Sequence, residues 1–240
     1  MSTLWLREMH EVRGREEDGF EEALRARWAP ALAREGEAAL LYFAKQAHGA
    51  GPSYRVVTIT ALRDAAAWPR LAERVDRGDL KPEAELLDGL RHDVSAKLLV
   101  PLPWSPLQEI DIEAVPGSDA ARHEAGLFME DTVWPREDQL ERYVELSGAH
   151  YLEEMRRNAE SERGSLLTVQ AGFRTAYGAG LRREIVLWQK ITEPRGLRPL
   201  LSSEVPARYK QPGSWMRDAL ELRDRWESRL LRTSDWSPWY

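Results

Sequence analysis

The sequence predicts an α+β chain of two tandem β-α-β-β-α-β units whose antiparallel sheets pack against one another. Three observations predict it. Ser95-Ala96-Lys97-Leu98-Leu99, then Trp104-Ser105-Pro106-Leu107, returns as Ser228-Arg229-Leu230-Leu231, then Trp236-Ser237-Pro238-Trp239, with the Trp-Ser-Pro phrases 132 residues apart. His48-Gly49-Ala50-Gly51 is echoed by Tyr177-Gly178-Ala179-Gly180 at a spacing of 129. The order of strand-like and helix-like periodicities is the same in both halves. Near-equal spacings are hard to obtain by chance, so the chain reads as a duplication: residues 1–107, a linker over 108–125, and residues 126–240.

The elements follow in order. Leu4 to Val12 alternates as a strand, with Leu4, Leu6, Glu8 and His10 on one face and Trp5, Arg7, Met9 and Glu11 on the other. A helix is expected from Glu16 to Arg34, because Phe20, Leu24, Trp28 and Leu32 recur every four residues, with Pro30 kinking it or starting a new turn. Ala38 to Gln46 and Tyr54 to Leu62 are β-rich runs around the turn His48-Gly49-Ala50-Gly51-Pro52, a hairpin signal. Asp64 can cap a helix to Val75, a further helix spans Pro82 to Arg91, and Ala96 to Val100 is the closing strand.

The second half predicts a strand over Leu127 to Trp134 and a helix from Pro135 to Arg157. A hairpin of Leu166 to Thr175 with Arg183 to Ile191 comes next, then helical segments at Gly196 to Leu201 and Trp215 to Trp226. The strand Ser228 to Thr233 closes the half. Gln108 to Ala125, with Pro116-Gly117-Ser118, reads as a polar linker. Each unit is thus the split βαβ, or ferredoxin-like, motif. Its sheet carries helices on one face only, so the other face needs a cover, and a covalent pair can seal sheet against sheet in an eight-stranded barrel.

Composition excludes several functions. Forty acidic against 34 basic residues give a net charge of −6, which offers no footprint for nucleic acid. Only five of the basic residues are lysine; the scattered arginines read as a compositional bias, with phosphate or carboxylate recognition as the alternative. The absence of cysteine removes disulfides, thiolate metal sites and cysteine nucleophiles. The start, Met1-Ser2-Thr3-Leu4-Trp5-Leu6-Arg7-Glu8, has no apolar core of signal-peptide length, and the longest apolar run, Ala38 to Ala44, cannot span a bilayer. A cytoplasmic protein without a membrane partner is expected.

Both halves resemble NIPSNAP-type domains of the dimeric α/β-barrel superfamily. The first strand Leu6-Arg7-Glu8-Met9-His10, the helix after it, the glycine-bearing hairpin and the closing phrases at Trp104 and Trp236 carry the resemblance, over nearly the whole chain outside the linker. It implies a barrel made by pairing two such domains, here within one chain. Superfamily members include cofactor-independent monooxygenases, haem-dependent enzymes, isomerases or dehydratases, and proteins without a known reaction, so no catalytic motif transfers. Glu130 meets Arg7 in the repeat alignment, so any role of that arginine is not duplicated.

Glu8 and His10 share a strand face at a separation of about 7 Å, and a carboxylate beside an imidazole is a workable acid–base pair. Asp131 is the counterpart of Glu8, so each half has an acid on its first strand. His10, Glu8 and Asp131 are therefore the candidate catalytic residues; the alternative is a solvated strand face or pairing with arginines such as Arg7. Tyr42, Tyr54 and Trp188 on the hairpins could line an apolar pocket or fill the core. With Arg7 and His150 they are the candidate substrate-binding residues. His48 reads as a turn residue, and His92 and His123 carry no assignment.

No histidine spacing suits a metal, no glycine-rich turn suits a phosphate, and no Gly-x-Ser-x-Gly supplies a serine nucleophile. A haem would need one axial histidine, which His150 or His10 could supply, but nothing else in the sequence asks for one. The expectation is an enzyme without a cofactor, acting on a small apolar or aromatic metabolite by acid–base chemistry of isomerase, dehydratase or monooxygenase type. The alternatives are a non-catalytic binding or scaffold barrel and a haem-dependent enzyme. Its one expected partner is a small molecule, and it is either a monomer with an internal pseudo-dimer or a homodimer. A single site is expected where the halves differ: Arg7 against Glu130, His10 against Val133, His48 against Tyr177.

Overall fold

The runs Ala38–Gln46 and Arg55–Leu62 are apolar on both faces and need cover on both, and the chain supplies it by closing on itself. The computed structural model describes residues 3–160, 165–180, 182–198 and 207–240, without the side chain of Arg208. Strand β1 (Leu4–Val12) leads to a helix of three parts: α1 (Glu17–Ala23), a π-turn at Leu24–Trp28, and α2 (Ala29–Ala33). The hairpin β2 (Ala38–Gln46) and β3 (Arg55–Leu62) follows, then α3 (Ala67–Arg77), α4 (Lys81–Leu90) and β4 (Arg91–Pro101).

The second half has β5 (Leu127–Pro135), α5 (Leu140–Leu146), a π-turn at Ser147–Leu152, and α6 (Glu153–Ala159). The hairpin β6 (Leu167–Tyr177) and β7 (Ile185–Ile191), a helical turn at Trp215–Asp218, and β8 (Arg223–Thr233) complete it. All eight strands join antiparallel in one closed barrel, in the order β1-β3-β2-β8-β5-β7-β6-β4. The expected sheet-on-sheet closure is therefore the observed one. Two short seams join the halves: Ala44–Gln46 of β2 on Leu231–Thr233 of β8, and Leu98–Pro101 of β4 on Phe173–Tyr177 of β6. Gly178 follows the second seam with φ 85°, and a Cβ there would strike the Ala96 carbonyl, so only glycine suits it.

Three expectations need correction. The closing strands begin earlier than Ala96 and Ser228, at Arg91 and Arg223, because their first residues ladder onto β1 and β5 although polar and largely exposed. The helix expected over Trp215 to Trp226 ends by Glu221, and Trp226 lies on β8 opposite Val133. Pro135 does not open a helix: it ends β5, and the helix starts at Leu140. The expected segment Gly196 to Leu201 lies partly outside the described residues.

The repeated phrase does more than end a strand. The Trp104 indole N–H donates to the Val144 carbonyl of α5 at 2.7 Å, and the Trp236 N–H donates to Glu21 Oε1 of α1 at 2.7 Å. Each tryptophan thus clasps the first helix of the other half, and Glu21 and Val144 are equivalent positions. The serines match. Ser105 Oγ accepts from the Gly172 N–H at 3.0 Å and donates to the Leu107 carbonyl. Ser237 Oγ accepts from the Phe43 N–H at 3.0 Å and donates to the Trp239 carbonyl. Gly172 and Phe43 follow the register shifts of β6 and β2, where the ladder leaves an N–H to be met.

Candidate functional site

Alternation along β1 sends Trp5, Arg7 and Met9 into the barrel and Leu6, Glu8 and His10 outward under the helices. Arg7 therefore meets Glu130, its counterpart in the other half, across the barrel: Nε to Oε2 at 2.9 Å and Nη2 to Oε1 at 2.6 Å, with both side chains buried. Arg229 donates to the same Glu130 Oε1 at 2.9 Å, and these positive neighbours hold the Glu130 carboxyl below its ordinary value against the cost of burial. Lys97 likewise pairs with buried Glu184. Tyr42 and Trp188 lie in the apolar part of the same interior, ring centroids 5.1 Å apart, packed with Phe128. Burial pushes the Tyr42 phenol far up, so it stays protonated. Arg7, Tyr42 and Trp188 are thus barrel core, each in contact with protein.

In the first half, Glu8 and His10 come together as their spacing predicts. Arg91 can only donate, so its Nη1, 2.8 Å from His10 Nδ1, fixes the ring proton on Nε2. That proton faces Thr58 Oγ1 at 3.1 Å, and the Thr58 hydroxyl donates to Glu8 Oε2 at 3.5 Å. Burial raises the Glu8 carboxyl above its ordinary value, opposed by the Arg91 charge. Burial and the charges of Arg91 and Arg7 push His10 down to about 3, so the imidazole is neutral at pH 7.

Asp131 is not part of that group. It lies under the helices of the second half, on a strand separated from β1 by three strands in either direction round the barrel. It has its own network: Gln189 Nε2 donates to Oδ2 at 2.8 Å, and the Ser228 hydroxyl, on an exposed residue, donates to Oδ1. The Tyr151 hydroxyl donates to Gln189 Oε1. Burial raises the Asp131 carboxyl, against the hydrogen bonds from Ser228, Gln189 and Trp226, and lifts the phenols of Tyr151 and Tyr143, the latter to about 12. The π-turn is what places Tyr151, since its extra residue per turn redirects the side chains that follow. Pro30 does not cause the equivalent π-turn of the first half, because Glu153 stands at its position in the second.

Tyr151 and Tyr143 pack on Trp215, with ring centroids 6.4 and 5.4 Å away. Beyond Trp215 lies a groove of about 700 Å³ between α5 and the turn at Trp215–Asp218, into which His150 projects from the π-turn. The second half therefore brings a buried acid, two phenols and a cavity into one layer. A second cavity, about 460 Å³, lies between the first π-turn and the linker, walled by Ala29, Ala33, Leu40, Ile112 and Val115 without a titratable cluster. Tyr54 is half exposed in the hairpin turn with φ 62°, and joins neither group. Thr58, Arg91, Gln189, Tyr151 and Ser228 escaped the sequence reading. Ser228 heads a repeated segment and Arg91 ends an expected helix, but nothing local marks either as the partner of a group on another strand.

The described residues do not fit a haem. Both ring nitrogens of His10 are engaged, and His150 is exposed at a rim carrying Arg136, Glu137, Arg142, Asp218 and Glu221, where an axial ligand would stand in water. Among the described residues no three His, Asp or Glu side chains are grouped to hold a metal ion, and no helix is long and apolar enough to cross a membrane.

No protein-family model and no curated protein matches the sequence. Solved structures match the fold. An anthrone oxidase-like protein covers 97% of this chain and 91% of its own at a TM-score of 0.60 and 7% identity. A proposed monooxygenase from Lactobacillus acidophilus covers 99% and 98% at 0.58 and 6%. A proposed chlorite dismutase covers 99% and 97% at 0.55 and 10%. The chain has the dimeric α/β-barrel fold, closed within one polypeptide. At these identities the likeness is one of fold alone.

Proposed function

We propose that the chain is a cytoplasmic, NIPSNAP-type barrel enzyme that transfers a proton to or from a small aromatic molecule, using Asp131 in the second half. The observation that carries this is the chain of groups from Asp131 through Gln189 and Tyr151 to Trp215 and the groove. A carboxylate of raised pKa in dry surroundings is a better base than one in water, and the Gln189 and Ser228 donors hold it in one orientation. Tyr151, kept protonated, supplies a hydrogen bond to Gln189 and no negative charge. Ser228, exposed at the other oxygen, gives the carboxyl a path for proton exchange with solvent. Two of the structures sharing the fold are described as a monooxygenase and an anthrone oxidase-like protein, and oxidation of an activated C–H begins with such a deprotonation. In the first half Glu8 takes the equivalent place, with neutral His10 as a positioning residue.

Asp131→Asn tests the reading. Wild-type protein is offered C–H-acidic aryl ketones, anthrone among them, and scored for oxygen uptake and for deuterium exchange at the acidic carbon. Loss of both by about 10²-fold or more in Asp131→Asn, with Glu8→Gln within about twofold of wild type, is expected. Equal rates in wild type and Asp131→Asn overturn it. A barrel that binds without turnover is favoured by one observation, that both Asp131 oxygens already accept hydrogen bonds. It predicts no exchange in either protein.

A further inference from the structure

We infer that the groove of the second half is a binding site for an aryl carboxylate, with Arg142 holding the anion and the ring lying on the wall of Leu146, Trp215 and Leu222. This names a ligand class for the site proposed above. It rests on that placement of the ligand but not on the chemistry of Asp131.

The wall follows from helix periodicity. Arg142, Leu146 and His150 stand at four-residue intervals and form one stripe facing the groove, about 12 Å from end to end. Leu222 and Trp215, both buried, form the opposite apolar wall. A flat apolar body can lie along this wall, which at about 12 Å is long enough for two or three fused rings.

The side chains left without a partner point to the sign of the ligand. Asp218 accepts from the Gly213 N–H at 3.0 Å, and Glu221 pairs with Arg217 at 3.1 Å. Arg136 donates to the Leu220 carbonyl at 3.3 Å and lies 3.9 Å from Asp224. Among the described residues the side chains of Arg142 and His150 make neither a hydrogen bond nor an ion pair, and Glu137 is the one acid of the rim in the same condition. Arg142 is thus the one guanidinium of the rim without a partner, beside the His150 imidazole, and Glu137 is the one unengaged acid. Arginine offers a planar fork that matches a carboxylate, and the anion stays at the wet rim while the ring takes the apolar wall. His150, two turns along the helix, meets whatever polar group the far end of the ring carries.

Calorimetric titration of the full chain with 2-naphthoate and with neutral 2-naphthamide tests the assignment. Naphthoate should bind about tenfold or more tightly than the amide, as expected for one charge-assisted contact. Arg142→Gln, at an exposed position without a partner to orphan, should remove that preference, while Asp131→Asn should leave it intact. Equal affinities for the two probes, no binding of either, or an unchanged preference in Arg142→Gln overturns the inference. If Asp131→Asn keeps the preference but wild-type protein shows no exchange chemistry, the proposed reaction fails and the ligand assignment stands. If Arg142→Gln keeps it while Asp131→Asn loses turnover, the reverse holds.

Discussion

The two halves share a sheet and differ in what lies over it. In the first, the ten residues of α4 pack on α1, Leu87 is buried between them, and Arg91 at the start of β4 closes the layer onto His10 and Asp88. In the second, the corresponding stretch offers the short turn at Trp215–Asp218 among its described residues. Arg223, the counterpart of Arg91, stacks on Trp226 at 4.9 Å, and a groove opens beside α5. The acid of the first strand is present in both, as Glu8 and Asp131. What separates them is the layer above: a full helix covers the first-half acid, whereas a groove opens on the far side of Trp215 in the second. Shared residues build the frame, and divergent ones decide what lies over it.

The frame is tested at its centre. Glu130 is completely buried and holds Arg7 and Arg229, so Glu130→Ala leaves the buried Arg7 guanidinium without a partner and should cost about 3–5 kcal/mol, read by urea denaturation. Arg7→Met with Glu130→Met removes the pair together and leaves Arg229 on Glu227, so it should cost clearly less. Equal losses in the single and the double variant would show that the pair is not the unit that matters. Because Arg7 and Glu130 occupy equivalent positions, they complement each other only when unlike halves meet, and two copies of one half would oppose like charges there.

A second test separates the halves by pH. His10 has a folded value of about 3 against an ordinary 6.5, so below pH 6.5 the unfolded chain takes up a proton that the folded chain refuses. Stability from this group is intact above pH 6.5 and is lost as the pH falls toward 3, at up to about 1.4 kcal/mol per pH unit. Glu8 and Asp131 act with the opposite sign, since a raised carboxyl binds its proton first in the folded state. His10→Gln should therefore flatten the decline between pH 6 and 4. Val133 stands at the equivalent place, so Val133→Leu should leave the slope alone. A slope unchanged in His10→Gln removes His10 as its source.

Much of this was legible. Alternation over Leu4 to Val12 gives β1 to the residue, and the repeat gives the pairing of halves, because both depend on local pattern and chain order. The pattern also splits β1 into two faces, but nothing in it says which face lines a barrel. That choice is made by the partner sheet, and it sends Arg7 inward and Glu8 outward. Glu8 and His10 were legible as a pair because they share one strand. Asp131, Gln189, Tyr151 and Ser228 come from three strands and a π-turn, and long-range closure alone brings them together. Trp226 reads as helix from its neighbours and becomes strand because β5 offers it a ladder.

The smallest expected effects come from the clasps, where the halves are most alike. Ser105→Ala leaves the Gly172 N–H without its acceptor, and Ser237→Ala does the same to Phe43. Each N–H is buried, so each loss should cost about 1–3 kcal/mol in denaturant unfolding, and the two should agree within about 0.5 kcal/mol. Agreement is the informative result. Each serine sits in one half and serves the other, so equal costs mean that the seams act as one symmetric closure, although the layers outside them have diverged. A large excess at Ser237 would instead place the weaker closure at the β2–β8 seam, which pairs three residues against the four of β4–β6, and would make that seam the first to open.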